Sequence, residues 1–286
     1  MWLLFAGLNP ISESFRNLYS KKASLNGVDP LMISWFNNLI PVLLFLVSLF
    51  FIQLKFNYKF VFALSMSGLI NVVATILYMK AISKGDISTV IPMLCFTPLF
   101  LLITSPILVG EFPGFWGVLG IILIVLGSYF LNIDLKSKNV LAPLKSLIVN
   151  KGTRYMFIVA VLWSISANYD KLSIINSSVF QHITFVNIFI FGGITLVLLI
   201  TKKFKINEIK KDPKNLILMS SFTAATYVLH MTALSLAFVA YVVSLKRSSG
   251  VISVLFGHFI LDEPHLRQRL LGSLFMLTGV LLIVLA

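Results

Sequence analysis

The chain has 286 residues, of which 58% are apolar and 12% are charged. This composition excludes an ordinary soluble domain and indicates a protein with several membrane spans, surrounded by membrane lipid. The formal net charge of +13 is typical of nucleic-acid binders, but the basic residues lie mostly in short loops between apolar segments. We therefore expect no nucleic-acid partner.

Ten apolar segments are long enough to cross a bilayer, which takes about 20 residues of helix. They are, in chain order, 1–18, 31–52, 60–79, 87–109, 114–132, 155–173, 179–200, 215–236, 239–260 and 267–286. Their lengths predict helices, because the strands of a membrane barrel alternate over about ten residues. We predict an all-α, multi-pass protein of the cell (inner) membrane, with the first segment retained as a helix because it lacks the basic start of a signal peptide.

The two halves of the sequence resemble each other. The segment LYMKAIS at 77–83 matches LHMTALS at 229–235, and the offset of 152 also aligns Glu111 with Glu263. In the first segment ISESFRNL at 11–18 aligns with ISANYDKL at 165–172. Because each half holds five segments, an odd number, the second half enters the membrane in the opposite sense. Inverted repeats of this kind are an architecture of transporters, with the substrate site near the midplane.

The sequence therefore predicts two inverted five-helix repeats. We expect the first repeat at 1–133, a basic connecting loop at 134–154 and the second repeat at 155–286. Each repeat ends in an acidic residue, a short polar turn and a glycine-spaced helix, written GEFPGFWGVLGIILIVLGSYF and DEPHLRQRLLGSLFMLTGVLLIV. Together with the ten segments, these endings resemble the EamA-type permeases of the drug/metabolite transporter superfamily over essentially the whole chain. The resemblance implies a secondary carrier and leaves its small-molecule substrate open.

Two adjacent cations, Lys246 and Arg247, lie inside the ninth segment, and a charge near the bilayer centre costs about 2.5–3.5 kcal/mol on insertion scales. Adjacent helical residues diverge by about 100°, so the two side chains can hardly both extend to the same interface. We expect them to bind a carboxylate or phosphate of the substrate. The alternative is a structural role, in which they pair with a membrane acid or with loop carbonyls. A Lys-Arg pair in the ninth helix is also similar to the plastid phosphate-translocator branch of the superfamily, where such a pair grips the substrate phosphate.

Glu13 and Arg16 in the first segment are three residues apart and therefore share one helix face. Two interpretations stay open. The residues neutralise each other so that the helix can insert, or Glu13 exchanges protons for substrate as a buried carboxylate. A glutamate at this depth of the first helix is also similar to the small multidrug resistance proteins, although Arg16 argues against a simple transfer of that role.

Polar residues at matching positions of the two repeats predict a central cavity. Polar stripes follow the third and eighth segments at helical spacing, and further polar residues lie deep in the sixth. Besides Lys246 and Arg247, the expected substrate-binding residues are Asn71, Tyr78, Trp163, Asn168, Tyr227 and His230. Asp170 and Lys171 lie nearer a helix end, and we expect them to form a pair at the membrane interface.

Other features predict structure rather than chemistry. His230 and His258 have no further ligand at metal-binding spacing, so we expect no metal site. Pro92 and Pro98 predict local unwinding of the fourth segment. Stripes of glycine, including Gly120 and Gly127, predict close helix packing, with a homodimer contact as the alternative. Glu111 and Glu263 are expected to favour the positive start of the last helix of each repeat.

The main functional hypothesis is a secondary carrier of a small polar metabolite that is anionic or zwitterionic. Because no G-x-x-x-x-G-K-[ST] loop occurs, we expect no ATP dependence, and we expect no cofactor. The nearest alternative is an exporter of hydrophobic or cationic drugs. A third hypothesis, an intramembrane lipid-modifying enzyme, lacks the motifs G-x-S-x-G and H-E-x-x-H, so we expect no catalytic residues. Loop charges place both termini outside the cell, whereas many relatives keep them in the cytosol, so the orientation stays open.

Overall fold

The computed structural model of the protein describes residues 1–84, 90–132, 142–261 and 266–286. Within these ranges every regular element is a helix. The helices are α1 (Trp2–Leu25), α2 (Pro30–Ser48), α3 (Tyr58–Lys84), a 3₁₀ helix (Ile91–Phe96), α4 (Thr97–Leu108), α5 (Phe115–Asn132), α6 (Ala142–Val149), α7 (Lys151–Ile175), α8 (Val179–Ile200), a second 3₁₀ helix (Ile206–Lys211), α9 (Pro213–Leu236), α10 (Val239–Arg247), α11 (Ser249–Leu261) and α12 (Leu266–Leu285).

The all-α membrane class predicted from the sequence is confirmed. Five helices of the described part are long and apolar enough to cross a membrane, namely α2, α7, α8, α9 and the stretch Tyr58–Tyr78 of α3. Shorter apolar helices cover Met93–Leu108, Phe115–Leu131 and Gly272–Leu285. The count of ten spans stays a prediction. The predicted connecting loop 134–154 is not wholly irregular, because α6 lies within it.

The fourth and ninth predicted segments are each interrupted. In the fourth, a 3₁₀ helix precedes α4, which begins at Thr97; in the ninth, α10 ends at Arg247 and α11 begins at Ser249. Thr97 and Ser249 are separated by the repeat offset of 152, so the interruptions occupy equivalent positions of the two repeats. Pro98 fits the first turn of α4, where a missing N–H leaves no hydrogen bond unmade. The interruption predicted around Pro92 and Pro98 is therefore present as a change from 3₁₀ helix to α-helix, and not as unwinding.

The chain divides into two compact units. Unit 1 contains Met1–Val72 and Tyr169–Leu236, and unit 2 contains Val73–Asn168 and Ala237–Ala286. Two helices, α3 and α7, contribute residues to both units. Each unit contains residues from both sides of the predicted connecting loop, so the units do not follow the sequence repeats. The repeat boundaries stay a prediction.

Unit 1 is held together by apolar packing and by polar contacts between its helices. Trp35 of α2 packs among buried side chains of α8 and α9, and its indole donates to Thr195 Oγ1 at 2.9 Å. Between α1 and α9, Asn9 Nδ2 donates to the carbonyl of Thr226 at 3.1 Å, and Ser12 Oγ donates to the carbonyl of Phe222 at 3.0 Å. Such contacts matter here because lipid tails remove most of the hydrophobic drive for helix association.

In unit 2, α5 and α12 approach each other through four glycines. A Cβ atom on Gly120 would lie 2.7 Å from the carbonyl oxygen of Gly279, and one on Gly127 would lie 2.5 Å from that of Gly272. Both distances are too short for any side chain, so only glycine permits this backbone contact. Gly120 and Gly272 are equivalent in the repeats, as are Gly127 and Gly279. The last helices of the two repeats therefore pack against each other through equivalent positions.

We expect Gly127→Ala to destabilise the protein by about 1–3 kcal/mol, because the added methyl group forces two helix backbones apart. The measurement is the thermal unfolding midpoint of the purified protein in detergent, followed by circular dichroism. Gly192→Ala is the matched control, because a Cβ atom at this α8 position meets nothing within 4 Å. Equal midpoints for the two variants would contradict the close contact of α5 and α12.

A polar cluster outside the membrane joins the α1–α2 turn of unit 1 to the start of α9. Asp212 Oδ2 accepts hydrogen bonds from Asn26 Nδ2 at 2.8 Å and from Asn215 Nδ2 at 2.7 Å. Lys211 Nζ donates to the carbonyl of Gly27 at 2.7 Å, where the backbone turns through a positive φ of 80°. Burial would raise the pKa of Asp212, but the hydrogen bonds from the two asparagines outweigh burial and hold that pKa below its usual value.

We expect Asp212→Asn to make the stability of the protein less dependent on pH. Because the folded-state pKa of Asp212 is lowered, its stabilising contribution is complete above the unfolded-state pKa of about 3.9. The contribution is lost as the pH falls through the folded-state value. Unfolding midpoints of parent and variant should therefore differ near neutral pH and converge in acid. A difference between the two midpoints that stays constant from neutral to acidic pH would contradict the lowered pKa of Asp212.

Candidate functional site

The residues at the centre of the candidate site lie on α10, a short helix of nine residues in unit 2. Its first backbone N–H, on Val239, donates to Glu111 Oε2 at 2.8 Å, while Lys246 and Arg247 occupy its last turn. An acid at the start and bases at the end both complement the dipole of the helix. Glu111 thus contacts the start of α10, a contact that the sequence did not predict, and its expected role at the start of the last helix of the first repeat stays a prediction. Glu263 lies outside the described residues.

Arg247 is oriented by the matching interruption of the other repeat. Its Nη2 donates to Thr97 Oγ1 at 3.0 Å, and Thr97 is the first residue of α4 and fully buried. The side chains of Lys246 and Arg247 are both partly exposed. The guanidinium group of Arg247 therefore connects the interruption of the ninth segment with that of the fourth. This contact was not evident from the sequence, where Thr97 is one of several hydroxyl residues in the fourth segment.

Three other predicted site residues lie in unit 2. The rings of Tyr78 on α3 and Trp163 on α7 contact each other, with their centroids 5.9 Å apart and tilted by 32°. Asn168 is fully buried, and its Nδ2 donates to Thr104 Oγ1 at 3.0 Å and to the Ser164 carbonyl at 2.8 Å. The structure thus brings Tyr78 and Trp163 together and ties Asn168 to α4.

The remaining predicted residues lie in unit 1. Glu13 is buried and its Oε1 accepts from Arg16 Nη2 at 2.8 Å, which is the ion pair that the sequence spacing allows. Tyr227 donates to Asn38 Oδ1 at 3.4 Å. A role of Glu13 in proton coupling stays a prediction, as does substrate contact by Tyr227.

Two further predicted residues of unit 1 differ in their exposure. His230 on α9 is buried, and Asn71 on α3 is partly exposed. Asn71 Nδ2 donates to the carbonyl and the hydroxyl of Ser67, one turn earlier, at 3.0 and 3.2 Å. No three His, Cys, Asp or Glu side chains converge as metal ligands in the part of the chain that the structure describes. The side chain of His258 lies outside that part.

One polar cluster of unit 1 was missed in the sequence. Asp170 Oδ1 accepts from Ser67 Oγ and lies 3.4 Å from Nε2 of His182, a residue of the first turn of α8. His182 is fully buried, and its Nδ1 lies 2.9 Å from Ser173 Oγ. Asp170 and Lys171 are both buried, and their expected pairing at the membrane interface stays a prediction. A histidine in an apolar segment that lacks other ionisable residues was the signal for this cluster.

The comparisons with known proteins agree with this architecture. The sequence profile of the EamA-like transporter family matches residues 1–133 and 150–285. A solved structure, described only as the crystal structure of a protein, resembles this chain with a TM-score of 0.73 and 15% sequence identity. The likeness covers 99% of this chain and 97% of that one, and it concerns the fold alone. A search of the curated proteins finds no match.

The long apolar helices define a helical integral membrane protein, and the family profile gives it the drug/metabolite transporter type. Because the family profile matches nearly the whole chain in two copies, the protein belongs to the EamA-like transporter family. Its members are membrane transporters with an internal repeat. The family assigns no substrate, and it selects none of the nine predicted site residues.

We expect Thr97→Val to weaken the region around Arg247, because it replaces the accepting hydroxyl by a methyl group of similar size. Hydrogen bonds to charged groups contribute about 1.5–3 kcal/mol, so the free energy of unfolding should fall by this order. Thr97→Ser keeps the hydroxyl and serves as the control. The readout is the thermal unfolding midpoint in detergent, and a valine variant as stable as the serine variant would refute the role of this contact.

Proposed function

We propose that the protein is a secondary carrier that moves a small anionic or zwitterionic metabolite by alternating access. The observation that carries this proposal is the pair Lys246 and Arg247 at the interruption between α10 and α11. Ionised residues in membrane segments are expensive and mark substrate pathways by default. Interrupted helices with irregular backbone are the places where many secondary transporters bind their substrates.

Local contacts support an anion as the ligand. The hydroxyl of Thr97 accepts a hydrogen bond from Arg247 Nη2 and orients the guanidinium group. A carboxylate or phosphate group forms bidentate hydrogen bonds with a guanidinium, and a lysine ammonium beside it adds a second positive charge. This argument favours an acidic substrate group over a neutral solute.

The remaining candidate residues shape the rest of the binding site in this proposal. Tyr78 and Trp163 provide an aromatic surface, and Asn168 ties α7 to α4 within the same unit. Asn71, Tyr227 and His230, which lie in unit 1, stay predicted substrate contacts. Energy comes from a proton gradient or from exchange of solutes, in agreement with the missing ATP-binding loop.

A second candidate, export of hydrophobic or cationic drugs, is favoured by the same aromatic pair. The faces of tyrosine and tryptophan rings attract cations, and a ring pair such as Tyr78 and Trp163 suits a flat apolar molecule. This candidate predicts that binding is independent of Lys246 and Arg247. The two proposals therefore differ in a property that can be measured directly.

We expect organic acids or phosphorylated sugars to stabilise the purified protein, and the variant Lys246→Gln/Arg247→Gln to lose this effect. A ligand at one hundred times its dissociation constant stabilises a protein by about 2.7 kcal/mol, which raises the melting temperature by several degrees. The measurement is a thermal-shift screen in detergent against amino acids, organic acids, phosphorylated sugars and cationic drugs.

The matched control for this screen is Lys202→Gln/Lys203→Gln. It removes the same charge from two exposed residues after α8, so it should retain the shift caused by anions. Stabilisation by cations in the parent and in both variants would overturn the proposed anion site and favour the drug exporter.

A further inference from the structure

We propose that Glu111 is a positioning residue of the anion site, because it fixes the helix that carries Lys246 and Arg247. This inference deepens the proposed function and rests on it. Glu111 bonds to the first residue of α10, Val239, whereas the two cations occupy the last turn of the same helix. Its effect on a bound anion is therefore transmitted through the position of α10.

The helix α10 has little stability of its own. It has only nine residues, and isolated helices shorter than about 12–15 residues are marginal even with favourable sequences. The residue before it, Phe238, supplies no side-chain hydrogen bond to the first turn, where serine, threonine, aspartate or asparagine is the usual choice. The position of α10 therefore depends on contacts with other parts of unit 2.

Glu111 takes the place of the missing local cap. Its Oε2 accepts a hydrogen bond from the backbone N–H of Val239 at 2.8 Å, and Val239 is completely buried. A carboxylate forms a stronger hydrogen bond than a neutral oxygen, and its charge is favourable at the positive start of a helix. Loss of this acceptor removes the bond of a buried N–H group, which costs free energy.

The backbone around Glu111 is held by α4. Gly110 adopts a positive φ of 79°, a conformation that glycine reaches without steric cost, and its N–H donates to the carbonyl of Ser105 at 3.0 Å. The N–H of Val109 donates to the same carbonyl at 2.9 Å. These bonds close the end of α4 and place Glu111 directly after that helix.

Three contacts together fix α10 as a rigid rod. Glu111 binds the start of α10 just after the end of α4, and Thr97 at the start of α4 accepts from Arg247 at the end of α10. The two helices therefore run antiparallel, with a bond at each end. Between the ends, Tyr241 packs so closely on Gly117 of α5 that a Cβ atom there would lie 2.5 Å from Cζ of the ring.

Release of one end of α10 changes the direction of both cationic side chains. From Val239 to Arg247 the helix extends over about 12 Å, at about 1.5 Å per residue. A tilt of about 10° displaces one end of such a helix by about 2 Å relative to the other, whereas a binding site needs its geometry held within about 0.5 Å. We therefore expect the affinity for an anion to fall when the bond of Glu111 is lost.

The charge of Glu111 by itself would have the opposite effect on an anion. A negative charge at the far end of α10 repels a bound acid, so removal of that charge alone strengthens binding. Loss of the positioning bond weakens binding. The direction of the change therefore separates a positioning residue from a group that acts through its charge.

The affinity for succinate, measured by isothermal titration calorimetry in detergent, tests this role. We expect Glu111→Ala to weaken succinate binding by about tenfold, the order expected for the loss of one hydrogen bond to a charged group. Glu111→Gln keeps the length of the side chain and an oxygen acceptor for Val239. Its affinity for succinate should therefore stay close to that of the parent.

Ser178→Ala is the matched control for a lost helix cap. Ser178 Oγ accepts from the N–H of Gln181 at 3.2 Å at the start of α8, which belongs to unit 1. This variant should lower the thermal unfolding midpoint, as Glu111→Ala does, and it should leave the affinity for succinate unchanged. A purely structural role of Glu111 predicts the same behaviour for both variants.

The double variant Glu111→Ala/Thr97→Val tests whether the effect passes through α10. Substitutions at distant, independent sites combine additively in free energy. Because Glu111 and Thr97 hold the two ends of one helix, we expect the combined loss of succinate affinity to be smaller than the product of the two single losses. Their bonds lie at opposite ends of α4, so a direct contact between the two residues does not explain such a deviation.

Two results would overturn the positioning role. One is a succinate affinity of Glu111→Ala that equals or exceeds that of the parent, and the other is a pair of losses that simply multiply in the double variant. Should Glu111→Ala not fold, Glu111→Asp provides the same test, because it keeps the charge and shortens the side chain by one methylene group.

A second readout needs no bound solute. In a Cys95→Ser/Lys246→Cys background, Glu111→Ala should change the rate at which position 246 reacts with a charged thiol reagent, whereas Glu111→Gln should not. A rate that is the same in all three proteins contradicts the positioning role. A parent that binds neither succinate nor inorganic phosphate overturns the proposed function instead, and the thiol reaction then still decides whether Glu111 positions α10.

Discussion

A bilayer offers no water to an ionised side chain or to an unbonded backbone group, so each must find its partner within the protein. This constraint accounts for the arrangement of polar residues in the chain. Arg16 lies against Glu13, Arg247 against Thr97, and Asp170 against Ser67 and His182. Carboxamide and hydroxyl groups tie α1 to α9 and α4 to α7 in the same way. The polar contacts thus position the helices, and they mark the places where the membrane-spanning part tolerates polar and ionised side chains.

The inverted repeat adds a second regularity. The interruptions of the fourth and ninth segments are separated by the repeat offset, and the glycines that let α5 and α12 touch are equivalent residues of the two repeats. A feature present once in an ancestral half would be found twice in a duplicated chain, and both features fit this description. Lys246 and Arg247 break the symmetry, because the equivalent residues of the first repeat are Leu94 and Cys95. Specific chemistry is therefore expected in the second repeat.

The sequence predicts the class of the fold well, because apolar length and period are properties of local sequence. It also predicts the Glu13–Arg16 ion pair, since a spacing of three residues places both side chains on one helix face. Contacts between segments that are far apart in the sequence are harder to predict. The bond between Arg247 and Thr97 joins residues 150 positions apart. Asp170 was assigned to the membrane interface because it lies near a helix end, and its contact with Ser67 joins residues 103 positions apart. His182 was overlooked because its contacts, Asp170 and Ser173, lie on another helix, which the segment around His182 does not reveal.

The central claim is that Lys246 and Arg247 face a pathway that admits water and anions. The most direct measurement uses Cys95→Ser as a background without cysteine, since Cys95 is the only cysteine of the chain. Lys246→Cys is then exposed to a small, negatively charged thiol reagent, with Ile107→Cys at an exposed position of α4 as the control that faces lipid. The account predicts that position 246 reacts, that organic acids slow this reaction, and that position 107 reacts only with a lipid-soluble reagent. If the cysteine at position 246, like the one at position 107, reacts only with the lipid-soluble reagent, the claim that Lys246 faces a water-filled pathway is contradicted.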